Sequence, residues 1–313
     1  MKHSGLAAAA LAVAGLASGQ QKGEPATKPD ILFKKLEARI EEIAARLDGV
    51  MGVAILDLSD GRRLLRNAEQ VFPTASSIKL PLLIELYRQE QQSRAGARGK
   101  ARLGDLYTFD AKDLVDGSTI MAGLTPGVSR ITNRDLAQFM IAVSDNAATN
   151  VLYERVGKDS VNFMLRGLGL ERTLLRRRMM DLPAARRGDE NVATPREMVS
   201  LLEALHAGKL LDKELTASLL EQLSTAKDSW LQRDLPEGVR VANKHGTLDA
   251  VRSDCGIVYA PNRPFAIAVM TSFVRDERSA EAAISQVALA AYRFFEMLGK
   301  TSEHGRELPP VAR

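Results

Sequence analysis

Strand-forming segments stand at the two ends of this chain and almost nowhere between. Near the start, Met51-Gly52-Val53-Ala54-Ile55-Leu56-Asp57 is followed by the turn residues Ser59-Asp60-Gly61 and then by Arg63-Leu64-Leu65. This reads as strand, turn, strand. Near the end, Arg240–Lys244, Ala250–Tyr259 and Phe265–Phe273 have the same character. From Thr74 to about Ala226 the pattern is helical, with helices predicted over Ser77–Gln91, Asn133–Val143, Ala147–Val156, Asp159–Leu168 and Pro195–Ala207.

Two further amphipathic segments bracket the strands. Ile31, Leu32, Leu36, Ile40, Ile43 and Leu47 recur at helical spacing, with Asp30 as a candidate cap, and Ala280–Leu298 repeats the pattern at the far end. The economical fold pairs the terminal strands in one antiparallel sheet flanked by the first and last helices, with the middle helices inserted as a second lobe. This α/β plus all-α reading gives residues 30–70 and 240–300 to the sheet domain and 71–239 to the helical domain. A cleft between two such lobes is a usual place for a site.

The outermost segments read differently. Lys2 and His3 precede an apolar run of 12 residues, Leu6 to Ala17, and then the small residues Ala17-Ser18-Gly19. That is the order of a secretory signal over residues 1–19, and the run is too short to span a bilayer. No cysteine follows it, so a periplasmic or secreted protein with no membrane attachment is expected. Residues 20–29 read as a polar, proline-containing linker, and 301–313 as a loose tail.

The mature chain would keep 42 basic and 39 acidic residues, an excess too small to point to nucleic acid. Cys255 is the one cysteine and lies in an apolar strand pattern, as a small buried hydrophobe would. His3, His206, His245 and His304 are scattered without ligand spacing, so no metal is expected.

Three short motifs carry possible chemistry. In Ser76-Ser77-Ile78-Lys79, residues i and i+3 share a helix face, so Lys79 can sit beside the Ser76 hydroxyl. A serine is a weak nucleophile until a neighbour takes its proton. A lysine can do so if burial or a second cation such as Lys244 depresses its pKa from about 10.4. In Ser144-Asp145-Asn146, Ser144 can pass a proton to a leaving nitrogen and Asn146 can donate to a substrate carbonyl, while Asp145 suits a helix cap. In Lys244-His245-Gly246-Thr247, Lys244 offers charge to a carboxylate, Gly246 lets a substrate approach the strand, and Thr247 adds donors. Arg252 on the next strand can bind the same carboxylate. Each motif alone has a plain alternative as a cap, a polar turn or a solvated lysine.

Their order and setting are more specific than any one of them. S-x-x-K, S-D-N and K-T-G form the class A β-lactamase and penicillin-binding set, and the chain resembles class A β-lactamases from about Asp30 to Leu298. Phe72-Pro73, Ser144-Asp145-Asn146-Ala147-Ala148-Thr149-Asn150, Leu235-Pro236-Glu237-Gly238 and Arg252-Ser253-Asp254 add to the likeness.

The resemblance implies hydrolysis of a β-lactam amide by acyl transfer through Ser76, with no cofactor. The Ser76 and Thr247 N–H groups would form the oxyanion hole, Ser144 and Lys79 would protonate the leaving nitrogen, and Lys244, Thr247 and Arg252 would hold the substrate carboxylate. A monomer acting on a small β-lactam is expected, with a D-alanyl-D-alanine peptidase-like hydrolase acting on a peptidoglycan-like peptide, or a slowly deacylating penicillin-binding protein, as the alternative. The family deacylates with a loop glutamate and an asparagine four residues on. Here the region is Arg176-Arg177-Arg178-Met179-Met180-Asp181-Leu182-Pro183-Ala184-Ala185. Asp181 is the candidate base, with Ala185 in place of the asparagine, and the loop's closing aspartate is Asn191 or a displaced Asp189. Arg176–Arg178 is expected to be a solvated face.

Overall fold

The computed structural model describes residues 26–309, so the expected signal segment and most of the linker lie outside the described residues. Helix α1 (Lys28–Ala45) leads into strands β1 (Val50–Asp57) and β2 (Arg63–Arg66) and the short β3 (Phe72–Pro73). A 3₁₀ turn, Ala75–Ile78, then opens α2 (Lys79–Arg94). The helical lobe continues through β4 (Leu106–Thr108), β5 (Arg130–Thr132), α3 (Asn133–Ala142), α4 (Asn146–Val156), α5 (Lys158–Gly167), α6 (Leu182–Arg186), β6 (Val192–Ala193), α7 (Pro195–His206) and α8 (Lys213–Leu223). The chain returns through α9 (Trp230–Arg233) to β7 (Val241–Leu248), β8 (Val251–Val258), β9 (Phe265–Ser272) and α10 (Glu277–Lys300).

The terminal strands form one antiparallel sheet in the order β2-β1-β9-β8-β7. Its period-2 alternation builds a core on each face. Met51, Val53, Ile55, Phe265, Ile267 and Val269 pack with α1 and α10, and Phe265 stacks on Phe295 at 4.5 Å between centroids. Ala54, Leu56, Ala266, Ala268 and Met270 face the helical lobe. The small residues on that side let α7 lie close against β1 and β9.

Four local readings are corrected. The first helix starts at Lys28, capped by Thr27 in a reciprocal box in which Asp30 is the N3 partner rather than the cap. The middle of the chain is not purely helical: β3 pairs with β6 and β4 with β5 in small ladders. Trp230 and Leu231 already belong to the core under the sheet, so the chain leaves the helical lobe before residue 240. The tail as far as residue 309 folds back, with Thr301 bridging Glu307 and Lys28 Nζ donating to the carbonyl of His304 at 2.9 Å.

Candidate active site

Ser76 lies in the 3₁₀ turn at the head of α2, between the two lobes. The turn is pinned from both sides. Thr74 N donates to Asn191 O (2.9 Å), and the Thr74 carbonyl accepts from Ser77 Oγ (2.8 Å) and Ser253 Oγ (2.7 Å). Ala75 sits at φ +48°, a left-handed conformation costly for a side chain with Cβ. Strand β7 approaches this turn so closely that a Cβ on Gly246 would stand 2.5 Å from Thr74 O and 2.6 Å from Ser76 N. Only glycine allows the backbone beside Thr247 to lie against the Ser76 amide.

Lys79 follows one turn later and is fully buried. Its Nζ donates to Ser144 O (2.7 Å), Ser144 Oγ (3.0 Å) and Asn146 Oδ1 (2.9 Å). Burial, reinforced by the charge of Lys244, holds its pKa well below the ordinary lysine value, against the opposing pull of Asp145. Ser144 is presented at φ +59° in the α3–α4 turn. Asp145 stabilises that turn by capping Ala148 N (3.0 Å) and accepting from Ile120 N and Met121 N (2.8 and 2.9 Å). Asn146 Nδ2 donates to Asp116 O at 2.8 Å. It passes over Gly117 (φ +76°), where an added Cβ would meet it at 2.6 Å.

Ser76, Asn146, Thr247, Met179, Met180 and Glu190 line a cleft of about 80 Å³. Lys244 is fully buried on the β7 face that meets the helical lobe and donates to His245 O at 2.7 Å. His245 turns to the opposite face of the strand and packs edge-on against Trp230, at 5.4 Å between centroids. Burial and the nearby lysines keep its imidazole neutral, pushed down to about 3.

Arg252 is not brought to the cleft. It faces the α10 side, where Nε donates to Glu281 (2.9 Å), Nη2 pairs with Glu277, and Nη1 donates to Leu248 O (3.0 Å). A guanidinium neutralised by two carboxylates is not the free clamp expected for a substrate carboxylate.

Asp181 is also displaced from its expected place. Its Oδ1 accepts from Ala184 N at 3.0 Å as the cap of α6, and the residue does not line the cleft. The loop residue held against α4 is Met179: its N–H donates to Asn150 Oδ1 (2.8 Å) and its carbonyl accepts from Asn150 Nδ2 (3.1 Å). Asn191 closes the loop, accepting from Arg176 N (2.7 Å) and Arg177 N (3.0 Å) and donating to Arg177 O (3.1 Å), whereas Asp189 pairs with exposed Arg187.

The arginine run is not a uniform solvated face. Arg177 is buried and bound to Glu190 at 2.9 Å, and Arg178 reaches Glu154. The clamp by Asn150 was visible only as part of the Ser144–Asn150 string, and Glu190 carried no sequence signal at all. Among the described residues no cluster of His, Cys, Asp or Glu could hold a metal, and no helix is long and apolar enough to cross a membrane. Cys255 is buried, and that burial raises its thiol pKa, so it is inert.

The head of α2 with Ser76 and the buried Lys79, the α3–α4 turn with Ser144, and the edge strand β7 with Lys244 and Gly246 thus meet at one cleft between the lobes. The β-lactamase enzyme family model matches residues 35–295. Among curated relatives, the SME-1 β-lactamase of Serratia marcescens is 25% identical over 275 residues, covering 85% of this chain and 90% of that one. A β-lactamase of Bacillus licheniformis is 27% identical, covering 87% and 86%. Among solved structures, a β-lactamase from Sphaerobacter thermophilus superposes with a TM-score of 0.74 at 29% identity, covering 84% of this chain and 97% of that one. PBP-A superposes with a TM-score of 0.74 at 26% identity, covering 84% and 96%. A PBP-A mutant has been solved as an acyl-enzyme complex with penicillin G. The chain belongs to the β-lactamase enzyme family and is a hydrolase.

Proposed function

We propose that the protein hydrolyses the amide bond of β-lactams through an acyl-enzyme on Ser76. The observation that carries this reading is the fully buried Lys79 amine, held between Ser144 and Asn146 one helical turn from Ser76. With its pKa depressed, Lys79 takes the Ser76 proton as the hydroxyl attacks the lactam carbonyl. The developing oxyanion is stabilised by the Ser76 and Thr247 N–H groups, a pairing supported by the close approach of Gly246 to Ser76 N. Ser144, hydrogen-bonded to Lys79, delivers a proton to the departing nitrogen. Lys244 and Thr247 hold the substrate carboxylate, with Arg252 stiffening the strand from behind. The protein acts as an exported monomer.

Deacylation is the slow step in this reading. Met179 and Met180 face the cleft where a base would act on the acyl ester, and a thioether cannot take a proton from water. Among the described residues, the one carboxylate on the cleft wall is Glu190, which is bound to Arg177. That feature favours, as the second reading, a penicillin-binding hydrolase of the D-alanyl-D-alanine peptidase kind. Mixing the protein with a chromogenic cephalosporin and following turnover and intact mass tests both. The expected result is a burst, a slow steady state and an adduct on Ser76 that Ser76→Ala abolishes. A burst without any steady state supports the second reading, and an unmodified Ser76 ends both.

A further inference from the structure

A second lysine stands beside the edge strand β7, and the chemistry above does not use it. Lys227, in the loop between α8 and α9, donates to Leu223 O at 2.7 Å and reaches Asn243 Oδ1 at 3.4 Å. Asn243 Nδ2 in turn donates to Asp254 Oδ1 (2.7 Å), and Asp254 Oδ2 accepts from Leu231 N (3.0 Å). Asn243, Lys244 and Asp254 are all fully buried. Among the described residues, the Lys244 ammonium has the His245 carbonyl as its one hydrogen-bond partner and no carboxylate in contact.

The charge on Lys244 is therefore governed by neighbours acting through space in a medium of low dielectric. Those neighbours are Lys79 from α2, with Asp145 of α4 behind it, Lys227 from the loop, His245 on its own strand, and Cys255 and Asp254 from β8. His245 and Cys255 are uncharged near neutral pH. Lys79 is itself pushed toward the neutral form. What is left is one aspartate that favours the Lys244 proton and one lysine that opposes it.

We infer that Lys227 and Asp254 are positioning residues that set the charge of Lys244, and through it the pH range over which the enzyme grips a carboxylate substrate. The inference rests on the assignment of Lys244 to that carboxylate. Burial, held back by Asp254 and helped by Lys227, brings Lys244 down to about 7. Lys227 is itself lowered to about 8 by burial.

The test is the pH dependence of kcat and KM for a chromogenic cephalosporin bearing its carboxylate, measured on wild type, Lys227→Met, Asp254→Asn and Lys244→Met. Lys227→Met moves the alkaline limb of kcat/KM to higher pH by about one pH unit, because a like charge is gone. Asp254→Asn moves it down by about as much and raises KM at pH 7, with kcat nearly unchanged. Lys244→Met raises KM and has no such limb. A Lys227→Met profile that coincides with wild type, while Lys244→Met has lost substrate affinity, overturns this inference alone. An unchanged KM in Lys244→Met overturns the assignment of Lys244 and this inference with it. Should Asp254→Asn fail to melt cooperatively, Lys227→Met still decides the matter.

Discussion

Replacing Gly246 with alanine tests whether the distance between strand β7 and the Ser76 turn is what makes the site competent. An added Cβ would lie 2.5 Å from Thr74 O, 2.6 Å from Ser76 N and 2.8 Å from Ser253 Oγ. Ordinary van der Waals contact begins near 3.4 Å, so strand and turn must part by roughly 0.9 Å. Two of the three obstacles are backbone atoms of a turn already fastened to Asn191 and Ser253, so they cannot rotate away. Overpacking of this kind costs about 1–3 kcal/mol.

The catalytic loss should be larger than the loss of stability. Displacing a reacting group by about 1 Å costs on the order of 100-fold, and the movement here also separates the two N–H groups assigned to the oxyanion. Stopped-flow acylation by a chromogenic cephalosporin should slow about 100-fold or more. A thermal melt should fall by roughly 2–10 °C and stay cooperative. Wild-type acylation in a folded Gly246→Ala protein would refute the idea that this contact builds the oxyanion site.

Further predictions concern the loop and the buried lysine. Met179→Glu puts a carboxylate on the cleft wall at the residue clamped by Asn150; steady-state turnover should rise and the adduct seen by mass spectrometry should shorten in lifetime, and an unchanged steady state would show that the wall position is wrong. Asp181→Asn keeps the cap on α6, so activity should stay within about 2-fold and stability within about 0.5 kcal/mol of wild type; a large loss of steady-state turnover would restore Asp181 as a base. Lys227 is lowered in the folded state to about 8 from 10.5, so its burial costs stability at pH 7, and that cost disappears as pH rises from about 8 to 10.5. Lys227→Met should therefore melt higher than wild type at pH 7 by a margin that shrinks across that range, and a margin independent of pH would argue against desolvation of the half-buried Lys227 ammonium.

Local chemistry was legible in the order of residues wherever it depended on near neighbours. Ser76 and Lys79 are three apart, which is one helical turn, and the alternation in β1 and β9 assigns each residue to a face without coordinates. The strands at the two ends required a closing sheet, and that placed the three motifs around one cleft. Ser144-Asp145-Asn146 at a helix junction and Gly246 beside Lys244 were readable for the same reason.

What the sequence left open depended on where side chains point once distant segments meet. Arg252 lies in register opposite Thr247, yet its guanidinium is claimed by Glu277 and Glu281 on a helix that begins 25 residues later. Asp181 and Met179 are two residues apart in one loop, and only the contact with Asn150, 29 residues earlier, decides that the methionine faces the cleft and the aspartate caps α6. Lys227 looks like any exposed lysine in a polar loop until the sheet closes and lays it against Asn243. Spacing reports which groups share a face, whereas charge pairing and burial are settled by contacts between segments far apart in the chain, where desolvation and partner choice set the energy.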